Sequence, residues 1–371
     1  MTERVDLDIF LVSLPGLEDV LCAEAKEKSF REAKTVKGGV SVRGGWTEVW
    51  RANLDLRGAS RVLVRLGAFR AFHLAQLDKR ARAFPWSESL RADIPVRVEA
   101  SCKASRIYHA GATTERIQRA IHEELGAEIS DDASVIVKAR IEKDLCTLSV
   151  DTSGEGLHKR GHKEAVNKAP LRETMAALFL RQCGFDGSQP VVDPMCGSGT
   201  IVIEAAEIAL GLKPGRSRRF AFQDLATYDP AAFETMKARP NRAAAVVPQF
   251  YGYDRDAGAI DMSRANAARA GVTAHTQFRQ QPVSDLAPPE GPAGLVLVNP
   301  PYGTRLGDQK KLRPLYQALG RTLTERFSGW RVGLVTSEPA LARATGLPLS
   351  PAGPPVAHGG LRVTLYTAAL D

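Results

Sequence analysis

Three times between residues 191 and 303 a short apolar run closes on an acid or an asparagine and breaks into a turn. Val191-Val192-Asp193 runs into Pro194-Met195-Cys196-Gly197-Ser198-Gly199-Thr200 and then an amphipathic stretch, Ile201 to Leu210. Phe250-Tyr251-Gly252-Tyr253-Asp254 is followed by Arg255, Asp256 and a helix-like run from Ala257 to Ala270. Leu295-Val296-Leu297-Val298 ends in Asn299-Pro300-Pro301-Tyr302-Gly303. Unbroken apolar strands alternating with amphipathic helices point to an α/β fold built on a parallel sheet.

Each strand end has its own chemistry. Gly197 and Gly199 let the backbone turn sharply and come close to a ligand, with the free N–H groups of the next helix facing it. Asp254 stands where the acid of a doubly wound fold accepts hydrogen bonds from ribose hydroxyls, although residues 212–249 make the interval unusually long. In the third turn two prolines fix φ and remove donors. The Asn299 and Pro300 carbonyls are left rigid and free to accept, with the face of Tyr302 beside them.

The first 160 residues alternate strand and helix without a catalytic cluster, and so read as an α+β binding or positioning module. Helices are expected over residues 17–29, 46–53 and 74–84. A further one should run from Thr113 to Leu125, capped by Thr113 or Thr114. Residues 134–140 and 145–151 form a hairpin pair, and Arg61 and Arg65 read as a solvated strand face. The glycine-rich basic stretch Ser153 to Lys163 marks a boundary. It is either a solvated hinge or a phosphate contact through Lys159 and Arg160. Near the end, residues 330–336 and 361–366 form the two strands of a terminal hairpin.

Charge narrows the partner. Residues 1–165 hold 27 Lys+Arg against 25 Asp+Glu, a net +2; residues 166–371 hold 23 against 17, a net +6. The excess lies with the motif-bearing part and favours a polyanion. Five dispersed cysteines, none in a Cys-x-x-Cys pair, argue for a reducing cytoplasm and against a zinc site. No apolar run is long enough to span a bilayer, and the first residues lack the form of a secretory signal, so a cytoplasmic protein is expected.

The three motifs in this order resemble the class I S-adenosylmethionine-dependent methyltransferases that modify exocyclic amines, whose signature is the Asn299-Pro300-Pro301-Tyr302 tetrad. Gly38-Gly39-Val40, residues 51–57, Leu157-His158-Lys159-Arg160-Gly161, residues 193–200, residues 299–307 and Gly360-Leu361-Arg362-Val363 narrow the likeness. Together they are similar to the THUMP-domain RNA guanine-N2-methyltransferases, in particular the N-terminal half of the bacterial members that act on 23S rRNA. The resemblance implies a ferredoxin-like domain over 1–65, a THUMP RNA-binding domain over 66–160 and a Rossmann-like methyltransferase domain over 161–371.

It also implies site roles. Pro170, Asp193, Pro194, Met195, Cys196 and Gly197 would hold the methionine part of S-adenosylmethionine, together with Ser198, Gly199 and Thr200. Asp254 and Arg255 would hold its ribose. The family's acid at the adenine amine is replaced here by Pro282, so Gln281, Ser284 or Asp285 would substitute. A second departure is His358, where the family carries asparagine. Asn299 and Pro300 would accept the two amine N–H bonds, with Pro301 stiffening the edge and Tyr302 stacking on an extruded base. Lys159, Arg160, Arg216, Arg218, Arg219 and Arg305 would contact RNA. No metal is required. The substrate implied is 23S rRNA; tRNA guanine-N2 methylation, adenine-N6 methylation of nucleic acid and a non-catalytic RNA-binding assembly factor stay open. The oligomeric state is not set by the sequence.

Overall fold

A computed structural model describes residues 6–164, 171–302 and 306–371, the side chains of 306–309 excepted. The chain divides into two compact units. One comprises 1–13, 22–157 and 218–239; the other comprises 14–21, 158–217 and 240–371.

The elements of the first part run β1 (Leu7–Val12), α1 (Glu18–Glu27), β2 (Arg31–Val36), β3 (Gly39–Gly44), α2 (Trp46–Asp55), β4 (Arg61–Arg70) and α3 (Leu74–Arg82), then β5 (Val96–Lys103), α4 (Ala110–Leu125), β6 (Val135–Glu142) and β7 (Leu145–Asp151). The strands form one seven-stranded sheet, ordered β2-β3-β1-β4-β7-β6-β5. Neighbours are antiparallel except β5 and β6, which are parallel. The expected boundary at residue 65 falls inside β4. Helix α4 starts three residues before Thr113: His109 is its N-cap, with Nδ1 accepting from the Ala112 N–H at 3.0 Å. Strand β2 escapes sequence reading because it lies at the sheet edge with only Ala33 buried, so no alternation marks it.

The chain continues through α5 (Glu173–Gln182), β8 (Val191–Asp193), α6 (Thr200–Ala209), α7 (Pro230–Ala238), β9 (Phe250–Asp254), α8 (Ala257–Ala270) and β10 (Thr276–Gln280). Then follow β11 (Leu295–Val298), α9 (Leu306–Arg326), β12 (Arg331–Thr336), α10 (Pro339–Ala344), β13 (Ser350–Pro351), β14 (Val356–His358) and β15 (Leu361–Ala369). Residues 218–239, with α7, belong to the first unit. There Phe222 stacks on Trp50 of α2 (6.1 Å between ring centroids) and meets Phe233 edge-on (5.1 Å).

The second sheet is ordered β10-β9-β8-β11-β12-β15-β13, with β14 beside β15. β10 through β12 are parallel, and β15 runs antiparallel to β12. This is the Rossmann-like α/β layout, and all three motif strands sit where the pattern places them. The two final strands pair as expected, but α10, β13 and β14 intervene, so their connection is not a simple turn. Buried Val192, Val296, Val298 and Leu334 of the sheet pack with Tyr316, Leu319 and Leu323 of α9 in one core.

Candidate active site

In this sheet β8 and β11 are neighbours, while β9 and β10 lie on one side of them and β12 on the other. The strand order reverses there, and a crevice forms beyond the carboxyl ends of the strands. A cavity of about 820 Å³ lies in it, within the range that holds a small organic ligand.

The turn after β8 forms the floor. Gly197 (φ +56°) and Gly199 (φ +83°) are both in the left-handed region that favours glycine. A Cβ on Gly197 would meet nothing within 4 Å, whereas one on Gly199 would press on Ser263 at 3.1 Å. Gly197 thus faces the cavity, and Gly199 caps α6 against α8. Side-chain hydrogen bonds hold the loop: the Gly197 N–H donates to Asp254 Oδ2 (3.0 Å), Ser263 Oγ to the Gly197 carbonyl (2.9 Å), and Asn266 Nδ2 to the Ser198 carbonyl (3.0 Å). The acid of the second strand therefore braces the glycine turn as well as facing the cavity. Its other oxygen accepts from the Asp256 N–H at 3.0 Å.

Asp193 is 2% exposed, and one of its oxygens accepts from the Met195 N–H at 3.1 Å. Burial pushes its carboxyl up to about 8, with the negative charge of Asp254 adding to the rise. A cation placed against it would restore the ionised form. Cys196 is buried with Sγ 3.7 Å from Ser263 Oγ, and burial pushes its thiol well above the ordinary range, which does not suit a nucleophile. Along the other rim, Gln281, Pro282, Val283 and Ser284 follow β10, and the Gln281 N–H donates to the Asp254 carbonyl at 2.8 Å. Ser284 Oγ donates to Asp285 Oδ1 (3.0 Å), and Asp285 itself does not line the cavity.

The opposite wall is the end of β11. Asn299, Pro300, Pro301 and Tyr302 all line the cavity. The Asn299 Oδ1 atom is buried and, among the described residues, accepts no hydrogen bond. Leaving such an atom unpaired costs about 1–3 kcal/mol, so it is open to a donor beyond the described residues. Buried Tyr316 of α9 donates to the Pro301 carbonyl at 3.2 Å and fixes the prolyl edge from behind. Burial also raises the Tyr302 phenol, keeping it neutral.

The cavity thus gathers Asp193, Pro194, Met195, Cys196, Gly197 and Ser198 with Thr200, Asp254, Arg255, Gln281 and Ser284. Gly199 sits behind the wall. Pro170 and Arg305 lie outside the described residues. Sequence reasoning missed Lys311, Leu312, Leu315 and Ala318, the α9 face that closes the acceptor side. Pro314 inside that helix reads as a break in the sequence, though three- and four-residue spacing was there to be found.

Several of the basic residues expected to meet RNA have partners within the chain. Arg160 is 1% exposed and donates to Glu204 Oε1 of α6 at 2.9 Å, a buried ion pair. Arg216 donates to Glu207 Oε1 and to the Ala270 carbonyl, both at 2.6 Å. Arg218 donates to the Ser153, Glu155 and Gly156 carbonyls, fastening the first unit's 218–239 segment to the stretch after β7. These three tie backbone and carboxylates together. Arg219 is 65% exposed but paired with Asp224 through both oxygens. Lys159 is exposed. The stretch from Ser153 begins on a buried residue, which donates to Asn53 Oδ1 at 2.7 Å. Among the described residues no cluster of three or more His, Cys, Asp or Glu could hold a metal ion.

Residues 160–349 match the family described as RMKL-like, methyltransferase domain, and residues 8–63 match the RlmL ferredoxin-like domain. The chain is 35% identical over 360 residues to the ribosomal RNA large subunit methyltransferase K/L of Syntrophotalea carbinolica, which aligns with 92% of this chain. The chain spans about half, 50%, of that relative's length. Among solved structures, a predicted N6-adenine-specific DNA methylase from Listeria monocytogenes superposes with TM-score 0.86 at 29% identity, covering 99% of this chain and 97% of its own. A putative methyltransferase, SMU.472, solved with SAH, has TM-score 0.86 at 24% identity over 100% and 99% of the two chains, a likeness of fold.

Proposed function

Because the chain belongs to the family of RMKL-like methyltransferases, we propose that it methylates the exocyclic N2 amine of a guanine in RNA, with S-adenosylmethionine as donor and 23S rRNA as substrate. The observation that carries the reading is the orphan Asn299 Oδ1, set in the same cavity as the glycine turn after β8. A carbonyl oxygen with no partner among the described residues is matched to an N–H that arrives with a substrate.

When bound, S-adenosylmethionine supplies an electrophilic methyl group. The residues present fit it: Asp193 offers a buried carboxylate for its ammonium, Asp254 a carboxylate for ribose hydroxyls, and Gln281 and Ser284 polar groups at the adenine end. Asn299 Oδ1 and the Pro300 carbonyl accept the amine's two N–H bonds and orient its lone pair, which ring conjugation otherwise holds. Tyr316 keeps that edge from yielding, and Tyr302 stacks on the base. The RNA and large-subunit assignment is supported by the relative of that name and by the N-terminal module. In this reading residues 1–65 form a ferredoxin-like piece, 66–160 a THUMP domain that holds the RNA, and 161–371 the catalytic domain, with Lys159 and Arg305 at the backbone.

Asn299→Ala tests the role directly. Methyl transfer should fall by about a hundred-fold or more, while affinity for S-adenosylmethionine, measured by calorimetry, stays within about two-fold. Unchanged turnover would refute the role. Loss of cofactor binding in the wild-type chain would favour the assembly-factor reading instead.

A further inference from the structure

Lys163 is not among the cavity-lining residues, yet it joins two that are. Its Nζ donates to Thr200 Oγ1 at 2.8 Å and to the Leu171 carbonyl at 3.4 Å, and it pairs with Glu173 Oε1 at 3.0 Å. Its side chain is 9% exposed and that of Glu173 is 8% exposed. Thr200 is the first residue of α6, directly after the glycine turn, and both Thr200 and Leu171 line the cavity.

The polarity of this contact decides what Thr200 can do. An ammonium can only donate, so in its bond to Lys163 the Thr200 oxygen is the acceptor. The hydroxyl proton is then left for another acceptor. It stands at a helix N-terminus, with the charge of Lys163 behind it, and both favour an anion in front. The carboxylates lining the cavity, Asp193, Asp254 and Asp256, come from the ends of β8 and β9 and the turn after β9. They suit the cationic and hydroxyl-bearing parts of a ligand and would repel a carboxylate.

We propose that Lys163 is a positioning residue, which through Thr200 makes the start of α6 the seat for the carboxylate of the cofactor's amino-acid end. The Lys163–Glu173 pair fastens the residue-171 segment to α6, so the seat is held from both sides. The proposal rests on the cavity being the cofactor site and does not depend on which base accepts the methyl group.

The experiment is calorimetric titration of the full chain with S-adenosylhomocysteine and with its decarboxylated analogue, which keeps the amine and lacks only the carboxylate. Wild type prefers the intact ligand. Thr200→Val and Lys163→Met each reduce that preference about ten- to a hundred-fold, as expected for a charge-assisted hydrogen bond, with the decarboxylated analogue bound within about two-fold of wild type. Lys163→Arg retains the preference. Lys163→Met leaves Glu173 buried without its ammonium, so Thr200→Val, which spares the ion pair, carries the test if that variant does not fold. Equal weakening of both ligands, or an unaltered preference in Thr200→Val, overturns the proposal and leaves the cavity reading standing. Failure of the wild-type chain to bind either ligand overturns both.

Discussion

At the scale of single residues, the site depends on polar atoms kept buried at a cost. Asp193 is the plainest case. Its carboxyl is raised by burial from 3.8 to about 8, so the folded protein favours the protonated form. That stabilisation is complete below about pH 4 and is lost as pH rises towards about 8. Without ligand, Asp193→Asn should flatten the fall of melting temperature with pH across this window; an unchanged profile would show that Asp193 is not the group responsible. A cationic ligand against the carboxylate reverses the preference. Binding S-adenosylmethionine at pH 7 should therefore release a proton, read as a binding heat that varies with the ionisation enthalpy of the buffer. Heats independent of buffer would place the ammonium elsewhere. Asn299 is the complementary case, an acceptor without a donor among the described residues.

At the scale of elements, the β8–turn–α6 unit separates fold from function within three residues. Gly199→Ala should destabilise the protein by about 1–2 kcal/mol from its positive φ alone, and more because a Cβ there presses on Ser263. Gly197→Ala carries a similar backbone cost but opens onto free space in the cavity, so its larger effect should be on cofactor affinity. Chemical denaturation beside ligand titration of the two variants checks this; equal effects on both quantities would contradict it. The legibility of the chain follows the same line. The three motif strands could be read because each is apolar throughout and stops at a residue whose chemistry has few other uses. α9 could not, because Pro314 interrupts its pattern. The internal partners of Arg160, Arg216 and Arg218 could not be read either, because a basic run looks alike in sequence whether it meets phosphate or buried carboxylates and carbonyls. Only the three-dimensional partners, Glu204 and Glu207 among them, tell the two apart.

At the scale of the molecule, the Rossmann-like unit holds the whole cavity, and the other unit carries the seven-stranded sheet together with residues 218–239, distant in sequence. Within the first unit, residues 218–239 pack through Phe220, Phe222 and Phe233 around Trp50. Phe222 is fully buried, so Phe222→Ala should destabilise that unit by about 3–5 kcal/mol; a loss below about 1 kcal/mol in denaturant titration would show the segment to be peripheral. In the proposed reading one cavity sets a methyl donor beside a guanine amine held by Asn299. It is tested most directly by nucleoside mass spectrometry of 23S rRNA incubated with S-adenosylmethionine and either the wild-type chain or Asn299→Ala. N2-methylguanosine should form with the wild type and not with the variant. Methyl groups on adenine N6, or undiminished N2-methylguanosine with the variant, would contradict it.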